Sequence, residues 1–300
     1  MKIPFLLTAF FDPFVIEATL LSLQPYGNRI DIIVVENPSK FSHLIGDVVK
    51  KFTDCGLVAK HYRFEENITG NAMLTILRNE IDLARYPYLF ISDGDIIAYR
   101  DGWLEEIIQA MDRHPDVFAL GANLDRCNLP LSTMPEARGW GAGARPIDRG
   151  DYFEGRNGFQ MTCFRGRELK ELIIYLDEGN LEFRDGVLED YCYKVRGQKW
   201  GITKYTTFRH LTWDSYSDLG HPYTRFKASK TFEEHWVHRN VSAYYEVTAS
   251  SPRSLNNVPI ASWPAKTKIE RRNYLKWAVI NWLVKSRLSW ILGLLPFLKQ

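Results

Sequence analysis

The sequence predicts an α/β protein with a mostly parallel central sheet, helices on both faces of that sheet, and a helical C-terminal tail. Across the first 125 residues, short apolar runs typical of strands alternate with segments whose apolar residues recur at helical spacing. Each strand–helix–strand unit makes a crossover, which places consecutive strands parallel in one sheet. The chain has 300 residues, 45% hydrophobic and 25% charged, an ordinary composition for a globular protein.

The first half of the chain alternates regularly between predicted strands and predicted helices. The predicted strands are Ile3–Phe10, Asp31–Val35, Val58–Phe64, Tyr88–Ile96 and Val117–Ala122. The spacing of apolar side chains predicts helices near Ile16–Leu23, His43–Phe52, Ala72–Ala84 and Gly102–His114. Alternation of this kind is typical of a doubly wound sheet.

The second half is less regular. Strands are predicted at Gly158–Phe164 and Gly201–Phe208, a helix at Glu168–Leu176, and a short helix that starts at Leu188-Glu189-Asp190 and stops at Gly197. Residues 128–149 are rich in Pro, Gly and Arg and form a predicted long loop, which inside a compact domain is usually functional. Its glycine-rich segment lacks the GK[ST] ending of a phosphate-binding loop. Trp140 in that segment either packs on a bound acceptor substrate or is buried in the core.

The strand Tyr88–Ile96 ends in two carboxylates that flank a glycine, Asp93-Gly94-Asp95. Ligands of open α/β sheets bind beyond the carboxyl ends of the strands, and carboxylate oxygens suit hard cations such as Mg²⁺ or Mn²⁺. Gly94 would let the backbone turn tightly and let a bulky ligand approach. The sequence therefore predicts a divalent-cation site at this turn, with an ordinary Asp-Gly turn after a core strand as the alternative.

Two further polar clusters follow predicted elements at similar places. Glu189 and Asp190 stand at the predicted start of a helix, and His210 follows the strand Gly201–Phe208. Because the carboxyl ends of parallel strands share one edge of a sheet, these groups and the Asp93–Asp95 pair can converge on one site. Taken singly, the acidic pair also fits the charges favoured at a helix N-terminus, and His210 also fits an ordinary strand-end histidine.

The order of these motifs resembles the inverting glycosyltransferases of the GT-A fold, specifically family two, over roughly residues 3–215. The resemblance is carried by the βαβ unit, the segment VVENPS, a Gly/Asn loop before a helix with an Arg-Asn pair, the strand ending in DGD, the segment LED and a late histidine. It implies a nucleotide-sugar donor, with a UDP-sugar as the first choice. It also implies a divalent cation, Mn²⁺ or Mg²⁺, bound through the donor's diphosphate, and one carboxylate that acts as base.

The resemblance places several residues at the nucleoside and in the donor pocket. Thr8 and Ala9 end the first strand, and Glu36 ends the second, where the family usually has Asp; the longer acid should still reach a ribose hydroxyl or a base edge. Asn71 lies in the Gly/Asn loop, and Arg78, with the residue after it, matches a pair that shapes the floor of the donor pocket. Without the resemblance, the segment after Glu36 indicates only a turn, and Arg78 fits a solvated helix face.

The resemblance also assigns the metal shell and the base. Asp95 matches the residue that ligates the metal directly, Asp93 the one that holds ribose or metal-bound water, and His210 the late histidine that completes the shell. Asp190, preceded by Glu189, matches the acidic pair in which the Asp is the base. Inverting transfer needs one base for the acceptor hydroxyl and a cation that stabilises the leaving diphosphate. A retaining hydrolase would instead need two carboxylates about 5 Å apart, and nothing in the sequence argues for such a pair.

The C-terminal tail is strongly basic and rich in tryptophan. Residues 266–300 contain eight Lys or Arg and one acid, so the tail carries +7 and the rest of the chain about −5. Its longest nearly uncharged run, Leu288–Leu298, has 11 residues, whereas a spanning helix needs about 20. We therefore predict a catalytic domain over 1–245, followed in 246–300 by a linker and an in-plane helical segment that binds a membrane surface. Packing of this segment on protein is the alternative.

The sequence thus predicts a cytoplasmic enzyme, peripheral at the inner face of the membrane, that transfers sugar to a glycan or lipid-linked acceptor in surface polysaccharide or glycolipid synthesis. The four cysteines form no CxxC pair and are interpreted as reduced thiols; no nucleic-acid partner is expected. Arg225, Lys227 and Lys230 are candidates for a lid over the diphosphate or for a solvated basic loop.

A nucleotidyltransferase and a non-catalytic binding subunit are the two alternatives to this prediction. A nucleotidyltransferase would carry a Gly-rich basic loop directly after the first strand, where this chain has the segment Ala9–Pro13. That segment argues against a nucleotidyltransferase. A non-catalytic sugar- or nucleotide-binding subunit of a membrane glycan-assembly complex is the alternative that stays open, because binding and catalysis share the same polar residues.

Overall fold

The computed structural model describes residues 1–125, 146–155, 158–215 and 242–247, together with positions 221, 223 and 279. These residues form an α/β fold. The strands are β1 Ile3–Ala9, β2 Ile30–Glu36, β3 Val58–Phe64, β4 Tyr88–Asp93, β5 Ile96–Ala98, β6 Val117–Leu124, β7 Ile147–Asp148, β8 Tyr152–Glu154, β9 Thr162–Arg165, β10 Lys199–His210 and β11 Tyr244–Glu246. The helices are α1 Pro13–Leu23, α2 Ser42–Asp54, α3 Gly70–Asn79, α4 Trp103–Arg113, α5 Gly166–Glu178, α6 Asp185–Asp190 and α7 Thr212–Ser215.

The strands join in one sheet in the order β11-β3-β2-β1-β4-β9-β6-β10-β8-β7, with β5 paired to β10. The pairs β2–β3, β1–β2, β1–β4 and β6–β10 are parallel, and β9 runs antiparallel between β4 and β6. β7, β8 and β11 add antiparallel pairs toward the ends of the sheet. The prediction of an α/β fold is confirmed, and the strands from β3 to β4 form the parallel part that the alternating elements predicted.

Helices cover both faces of the sheet. On one face, apolar side chains of α3, α5 and α6, such as Ile76 and Leu172, pack with sheet residues in one hydrophobic core. On the opposite face, Trp103 of α4 meets the stacked rings of Phe5 and Phe90 edge-on, at centroid distances of 6.3 and 5.6 Å. The sheet is therefore buried on both sides at its centre, which explains why the parallel strands β1, β2 and β4 are near-continuous apolar runs.

The strand predicted from Gly158 begins later than expected. Gly158 and Met161 have positive φ angles of 63° and 46°, and residues 158–161 form a turn, so β9 starts at Thr162. Backbone in the left-handed region cannot continue a strand. The segment 158–161 therefore crosses the end of the sheet as a short loop, hereafter the crossing loop, instead of extending β9.

The chain divides into two compact units. One comprises residues 1–124, 146–209 and 237–253, and the other comprises residues 125–145, 210–236 and 254–300. The division falls between Arg209 and His210, the last two residues of β10, so His210 ends a continuous strand of the first unit's sheet. In the second unit the structure describes little beyond the short helix α7. The predicted domain boundary near residue 245 stays a prediction.

Several predicted features lie outside the described residues. They are Trp140, Cys127, the basic residues Arg225, Lys227 and Lys230, and the C-terminal tail apart from Val279. Among the helices that the structure does describe, none has both the length and the hydropathy of a membrane-spanning segment. Membrane binding by the tail accordingly stays a prediction.

Candidate active site

Four residues expected at the donor site lie together at the carboxyl ends of three adjacent strands. β1 pairs with β2 so that Ala9 is opposite Glu36, and it pairs with β4 so that Thr8 is opposite Asp93. All four residues stand at or next to the ends of their strands. The parallel register therefore brings Thr8, Ala9, Glu36 and Asp93 to one edge of the sheet, where ligands of open α/β folds bind.

A cluster of candidate metal ligands forms at this edge. Asp93, Asp95 and His210 each offer one ligand atom, and the three atoms lie within 4.8 Å of one another in partly buried positions. β5 pairs with β10, and the Tyr99 N–H donates to the Thr207 carbonyl over 3.1 Å. This pairing joins the chain just after Asp95 to the strand that ends in His210. It explains how residues so far apart in sequence meet.

The cluster fits a small divalent cation. Ligand atoms in an octahedral shell lie about 2.1 Å from the ion, so opposite ligands are about 4.2 Å apart and adjacent ones closer. Three atoms within 4.8 Å of one another need only a small closure to reach that geometry. Two carboxylates and one imidazole suit a first-row ion such as Mn²⁺. An octahedral ion takes six ligands, so an ion held by these three residues would have positions left for other ligands.

Two neighbours orient the imidazole of His210. Its Nδ1 lies 3.1 Å from the Thr212 hydroxyl, and its ring stacks on Trp213 with centroids 4.5 Å apart and planes 7° apart. Outer partners of this kind fix the ring and tautomer of metal-binding histidines. Both partners come from α7, which sequence analysis did not predict, although Thr212 and Trp213 stand only two and three residues after His210.

Gly94 is required by the packing of the DGD turn against the first strand. A Cβ here would overlap the carbonyl oxygen of Thr8 and the side chain of Ile16. The Gly94 carbonyl accepts a buried hydrogen bond of 2.8 Å from the hydroxyl of Thr19. We expected this glycine to make room for a ligand, but the chain itself fills that side. Thr19, a single buried hydroxyl in the apolar helix α1, anchors the turn and was missed in the sequence.

Glu36 lies in a buried ion-pair cluster. Its Oε2 is 2.7 Å from His61 Nε2 and 3.0 Å from Arg63 Nε, while its Oε1 has no hydrogen-bond partner among the described residues. Strand alternation puts His61 and Arg63 on one side of β3, and the register places Arg63 opposite Glu36. This alternation was the signal that could have revealed both partners. Contact between Glu36 and a nucleoside stays a prediction. Such a contact would use Oε1, because Oε2 is already engaged by His61 and Arg63.

The loop before α3 is fixed by two buried asparagines. Asn37 accepts the Ile68 N–H and donates its amide to the Thr69 carbonyl, both over 3.1 Å. Asn71 Oδ1 accepts the Phe183 N–H over 3.1 Å. Asn71 therefore joins the start of α3 to the segment before α6. Its predicted contact with the donor is not tested by these bonds.

Arg78 sits in the last turn of α3 and forms an ion pair with Asp177 of α5. Both side chains are more than two-fifths exposed, so the pair contributes at most about 1 kcal/mol to stability. The next residue, Asn79, donates its amide to the Tyr244 hydroxyl over 3.4 Å. These contacts tie α3 to α5 and β11, and a role of Arg78 in the donor pocket stays a prediction.

The acidic pair Glu189-Asp190 ends helix α6 instead of starting a helix. α6 begins at Asp185, and a π-helical turn, Tyr191–Val195, continues it. Our expectation of a helix N-terminus at Asp190 is therefore wrong, because local charge pattern does not distinguish the first turn from the last. Glu189 is buried, whereas the Asp190 side chain is 56% exposed and pairs with Lys194 Nζ at 2.9 Å. An exposed carboxylate can meet an acceptor hydroxyl, and the base role of Asp190 stays a prediction.

Asp185 is a buried carboxyl that sequence analysis missed. Burial raises its pKa from 3.8 to about 6, although N–H groups of Phe159 and of Asp185 itself hydrogen-bond to the carboxylate and oppose the rise. Its Oδ1 has no hydrogen-bond partner among the residues that the structure describes. Its Oδ2 lies against Gly158, where a Cβ would overlap the carboxylate. A lone Asp before a glycine gave no signal in the sequence, because its burial depends on the crossing loop.

We expect Asp185→Asn to change how stability depends on pH. Because the pKa of Asp185 is higher in the folded state, at about 6, than its ordinary 3.8, the folded protein binds the proton more tightly. Stability therefore falls by up to about 3 kcal/mol as pH rises from about 4 to 6 and changes no further above that. Asparagine does not ionise, so the variant should gain on the wild type across this range. Urea denaturation at several pH values measures the gain; a difference that stays constant with pH would contradict this interpretation.

Comparison with known proteins gives relatives of uncharacterised activity. The chain is 36%, 35% and 32% identical to the uncharacterised proteins L137, L142 and L138 of Acanthamoeba polyphaga mimivirus, over 75%, 77% and 81% of its length. It covers 31%, 48% and 28% of those proteins, so it spans less than half the length of the curated relatives it matches. No family model matches the chain.

Two solved structures with a similar fold are glycosyltransferases. One is the mannosyltransferase PcManGT from Pyrobaculum calidifontis in complex with GDP-Man and Mn²⁺, at 15% identity and a TM-score of 0.48 over 78% of this chain and 62% of that one. The other is GalNAc-T7 with UDP, GalNAc and Mn²⁺, at 12% identity and a TM-score of 0.46 over 78% and 49%.

Proposed function

We propose that this protein is a metal-dependent inverting glycosyltransferase of the GT-A type. The observation that supports it most is the cluster of Asp93, Asp95 and His210 at the carboxyl edge of the sheet. A divalent cation, Mn²⁺ or Mg²⁺, held there would act as a Lewis acid on the diphosphate of a nucleotide-sugar donor. Asp95 and His210 would bind the ion directly and Asp93 would bind it or its water, so these residues would position the leaving group.

In this proposal the donor lies along the carboxyl edge of the sheet, from the end of β2 to the end of β4. Glu36 ends β2 and Asp93 ends β4, with β1 between them. Neighbouring strands are about 4.8 Å apart, so the two acids are about 10 Å apart across the sheet, which suits a nucleoside and its attached diphosphate. The nucleoside then lies over Thr8, Ala9 and Glu36, and the diphosphate lies at Asp93. Asn71 and Arg78 border the donor in this proposal.

The acceptor side is assigned to the acidic pair at the end of α6. Asp190 takes the proton of the acceptor hydroxyl, and the buried Glu189 holds the helix end that presents it. Attack from the face opposite the leaving diphosphate inverts the anomeric centre. We propose a UDP-sugar as donor and a glycan or lipid-linked acceptor, reached at the cytoplasmic face of a membrane through the basic tail, in surface polysaccharide or glycolipid synthesis.

We expect Asp190→Asn to keep donor binding and to lose transfer. The amide cannot take a proton, and a general base typically contributes about 10²–10⁴-fold to rate. Mn²⁺-dependent donor affinity should stay within about twofold of the wild type, because Asp190 is outside the metal cluster. Glu178→Ala, an exposed acid on the neighbouring helix α5, is the matched control. Transfer that survives in Asp190→Asn would remove Asp190 as the base.

The direct test of the proposed function is donor binding by the purified full chain. A panel of nucleotide sugars, with UDP-sugars first, is added with Mn²⁺ or with EDTA, and thermal stabilisation is recorded. A ligand at 100 times its dissociation constant adds about 2.7 kcal/mol to the free energy of unfolding. Stabilisation that needs Mn²⁺ supports the proposal, and its absence for every nucleotide sugar would contradict it.

A non-catalytic binding subunit is the second candidate. One observation favours it: Lys194 Nζ lies 2.9 Å from Oδ2 of the proposed base, Asp190, so one of its two oxygens is already occupied by an ammonium group. Such a subunit would bind the donor and Mn²⁺ but would neither hydrolyse nor transfer a labelled sugar. Incubation of the full chain with labelled donor, Mn²⁺ and a lipid extract separates the two candidates, because an inverting transferase releases nucleoside diphosphate and the binding subunit does not.

A further inference from the structure

The burial of the Asp185 carboxylate lowers the stability of the fold, which a purely structural role would not explain. The residue is partly exposed, but its Oδ1 is inaccessible to solvent and has no hydrogen-bond partner among the described residues. A buried carboxylate without full hydrogen bonding destabilises the fold. An amide would satisfy the same N–H groups without the cost of burying a charge. The position of Asp185 therefore needs a reason beyond stability.

The carboxylate rests on the crossing loop. Its Oδ2 occupies the space that a side chain at Gly158 would fill, and the carboxylate faces the N–H of Phe159, which opposes the rise of its pKa. Gly158 has a positive φ of 63°, a conformation that suits glycine. Asp185, at the start of α6, therefore contacts the first two residues of the crossing loop, Gly158 and Phe159.

The same loop holds the backbone of a proposed metal ligand. The Phe159 carbonyl accepts the N–H of Asp93 over 3.3 Å. β4 and β9 are paired only as far as Ile91 and Thr162, so this bond continues the ladder where regular pairing has ended. The crossing loop is tied to β6 as well, because the Ala122 N–H donates to the Gln160 carbonyl over 3.1 Å.

Both interactions are made by the backbone of Phe159, one through its N–H and the other through its carbonyl. The carboxylate of Asp185 fixes the N–H of Phe159, and the carbonyl of Phe159 fixes the N–H of Asp93. Charge-assisted hydrogen bonds to backbone N–H groups are about twice as strong as neutral ones, so a carboxylate fixes the loop more firmly than an amide. Groups that orient metal ligands typically change metal affinity 10–100-fold when they are removed.

We infer that Asp185 is a positioning residue of the metal centre, which sets the place of Asp93 through the Phe159 peptide. The inference rests on the proposed function, because it takes Asp93 as a group of the metal shell. It assigns no contact between Asp185 and the substrate. It gives α6 two tasks, positioning the metal ligand at its start and presenting Asp190 at its end.

The experiment compares wild type with Asp185→Ala, Asp185→Asn and Glu178→Ala in the full chain. Mn²⁺ affinity is measured by titration calorimetry without donor at pH 7.5, and hydrogen exchange at the Asp93 amide is followed by mass spectrometry of peptides that end after it. Thermal melting checks that each variant is folded. Glu178 is an exposed acid on α5 and tests whether loss of any nearby negative charge has the same effect.

The expected result is a clear split between the variants. Asp185→Ala should bind Mn²⁺ about 10–100-fold more weakly and exchange the Asp93 amide at least about threefold faster, because a local opening becomes easier. Asp185→Asn keeps an acceptor oxygen and should recover most of both properties. Glu178→Ala should behave as wild type. Because removing the buried charge does not weaken the fold, neither Asp185 variant should melt below the wild type, and Asp185→Asn should melt above it.

Three results would overturn the inference. The first is an Asp185→Ala variant that binds Mn²⁺ and exchanges Asp93 like the wild type. The second is weaker Mn²⁺ binding with unchanged exchange, which would mean that Asp185 acts by another route than Phe159. The third is a folded Asp185→Asn variant as impaired as Asp185→Ala in exchange. If the wild type fails to bind Mn²⁺, the proposed function fails, and the exchange measurement still decides whether Asp185 positions Asp93.

Discussion

Asp95→Ala is expected to weaken Mn²⁺ binding at least about 100-fold and to abolish metal-dependent donor binding and sugar transfer. It removes one of the three ligand atoms that lie within 4.8 Å of one another and leaves Asp93 and His210. Loss of an outer partner alone costs about 10–100-fold in metal affinity, so loss of a direct ligand must cost more. Without the cation, the charge that would develop on a leaving diphosphate loses the counter-charge that the cation would supply.

The fold should tolerate this change. Asp93 and Asp95 are two negative charges within a few ångströms, and removing one relieves their repulsion in the metal-free protein. Asp54→Ala is the control, because Asp54 is exposed on α2 and forms an ion pair with Lys50 of the same helix. Calorimetry with Mn²⁺ and a transfer assay at saturating Mn²⁺ measure the effect. Mn²⁺ affinity within threefold of wild type in a folded Asp95→Ala protein would place the metal elsewhere.

The elements of the parallel part followed from the sequence because their signal is local. β3 spans Val58–Phe64 as predicted, and β1, β2, α2 and α4 differ from prediction by one or two residues at their ends. Apolar spacing reports which side chains are buried within a single element, and that is enough to find the element. The alternation of predicted strands and helices also indicated crossover connections, which place consecutive strands parallel in one sheet.

The position of β9 could not be predicted in this way. β9 inserts antiparallel between β4 and β6, and nothing within its four residues specifies which strands it joins. Its start was misplaced because the positive φ angles of Gly158 and Met161 end the strand pattern, and an apolar Met gives no hint of such a backbone. That same crossing loop carries the contact between Phe159 and Asp93.

The site shows the same division between local and long-range information. The DGD turn and His210 were visible as polar residues at strand ends, and the structure places their ligand atoms together. The groups that support them were not visible: Thr19 reaches Gly94 from 75 residues away, and in our inference Asp185 reaches the end of β4 through Phe159. A hydrogen bond between distant segments leaves no periodic trace, so supporting groups are the part of a site that a single sequence hides.

Gly94→Ala is expected to destabilise the fold by several kcal/mol and to disrupt the metal cluster in the protein that still folds. The added Cβ would overlap the backbone carbonyl of Thr8, which cannot move away because β1 is hydrogen-bonded on both sides, to β2 and β4. Overpacking against side chains typically costs about 1–3 kcal/mol, and a clash with fixed backbone exceeds that. The turn can escape only by moving outward, which breaks the bond between the Gly94 carbonyl and Thr19 and carries Asp93 and Asp95 away from His210.

Gly186→Ala is the matched control, since a Cβ at Gly186 meets no atom within 4 Å and the residue lies inside helix α6. In a helix alanine is favoured over glycine by about 1 kcal/mol, so this variant should be as stable as the wild type or slightly more stable. Urea denaturation of both variants, followed by Mn²⁺ calorimetry under native conditions, separates the two expectations. A Gly94→Ala protein with wild-type stability and Mn²⁺ affinity would mean that the turn is not held against β1. The closeness of the three ligand atoms would then lack the rigid support on which metal binding at this edge depends.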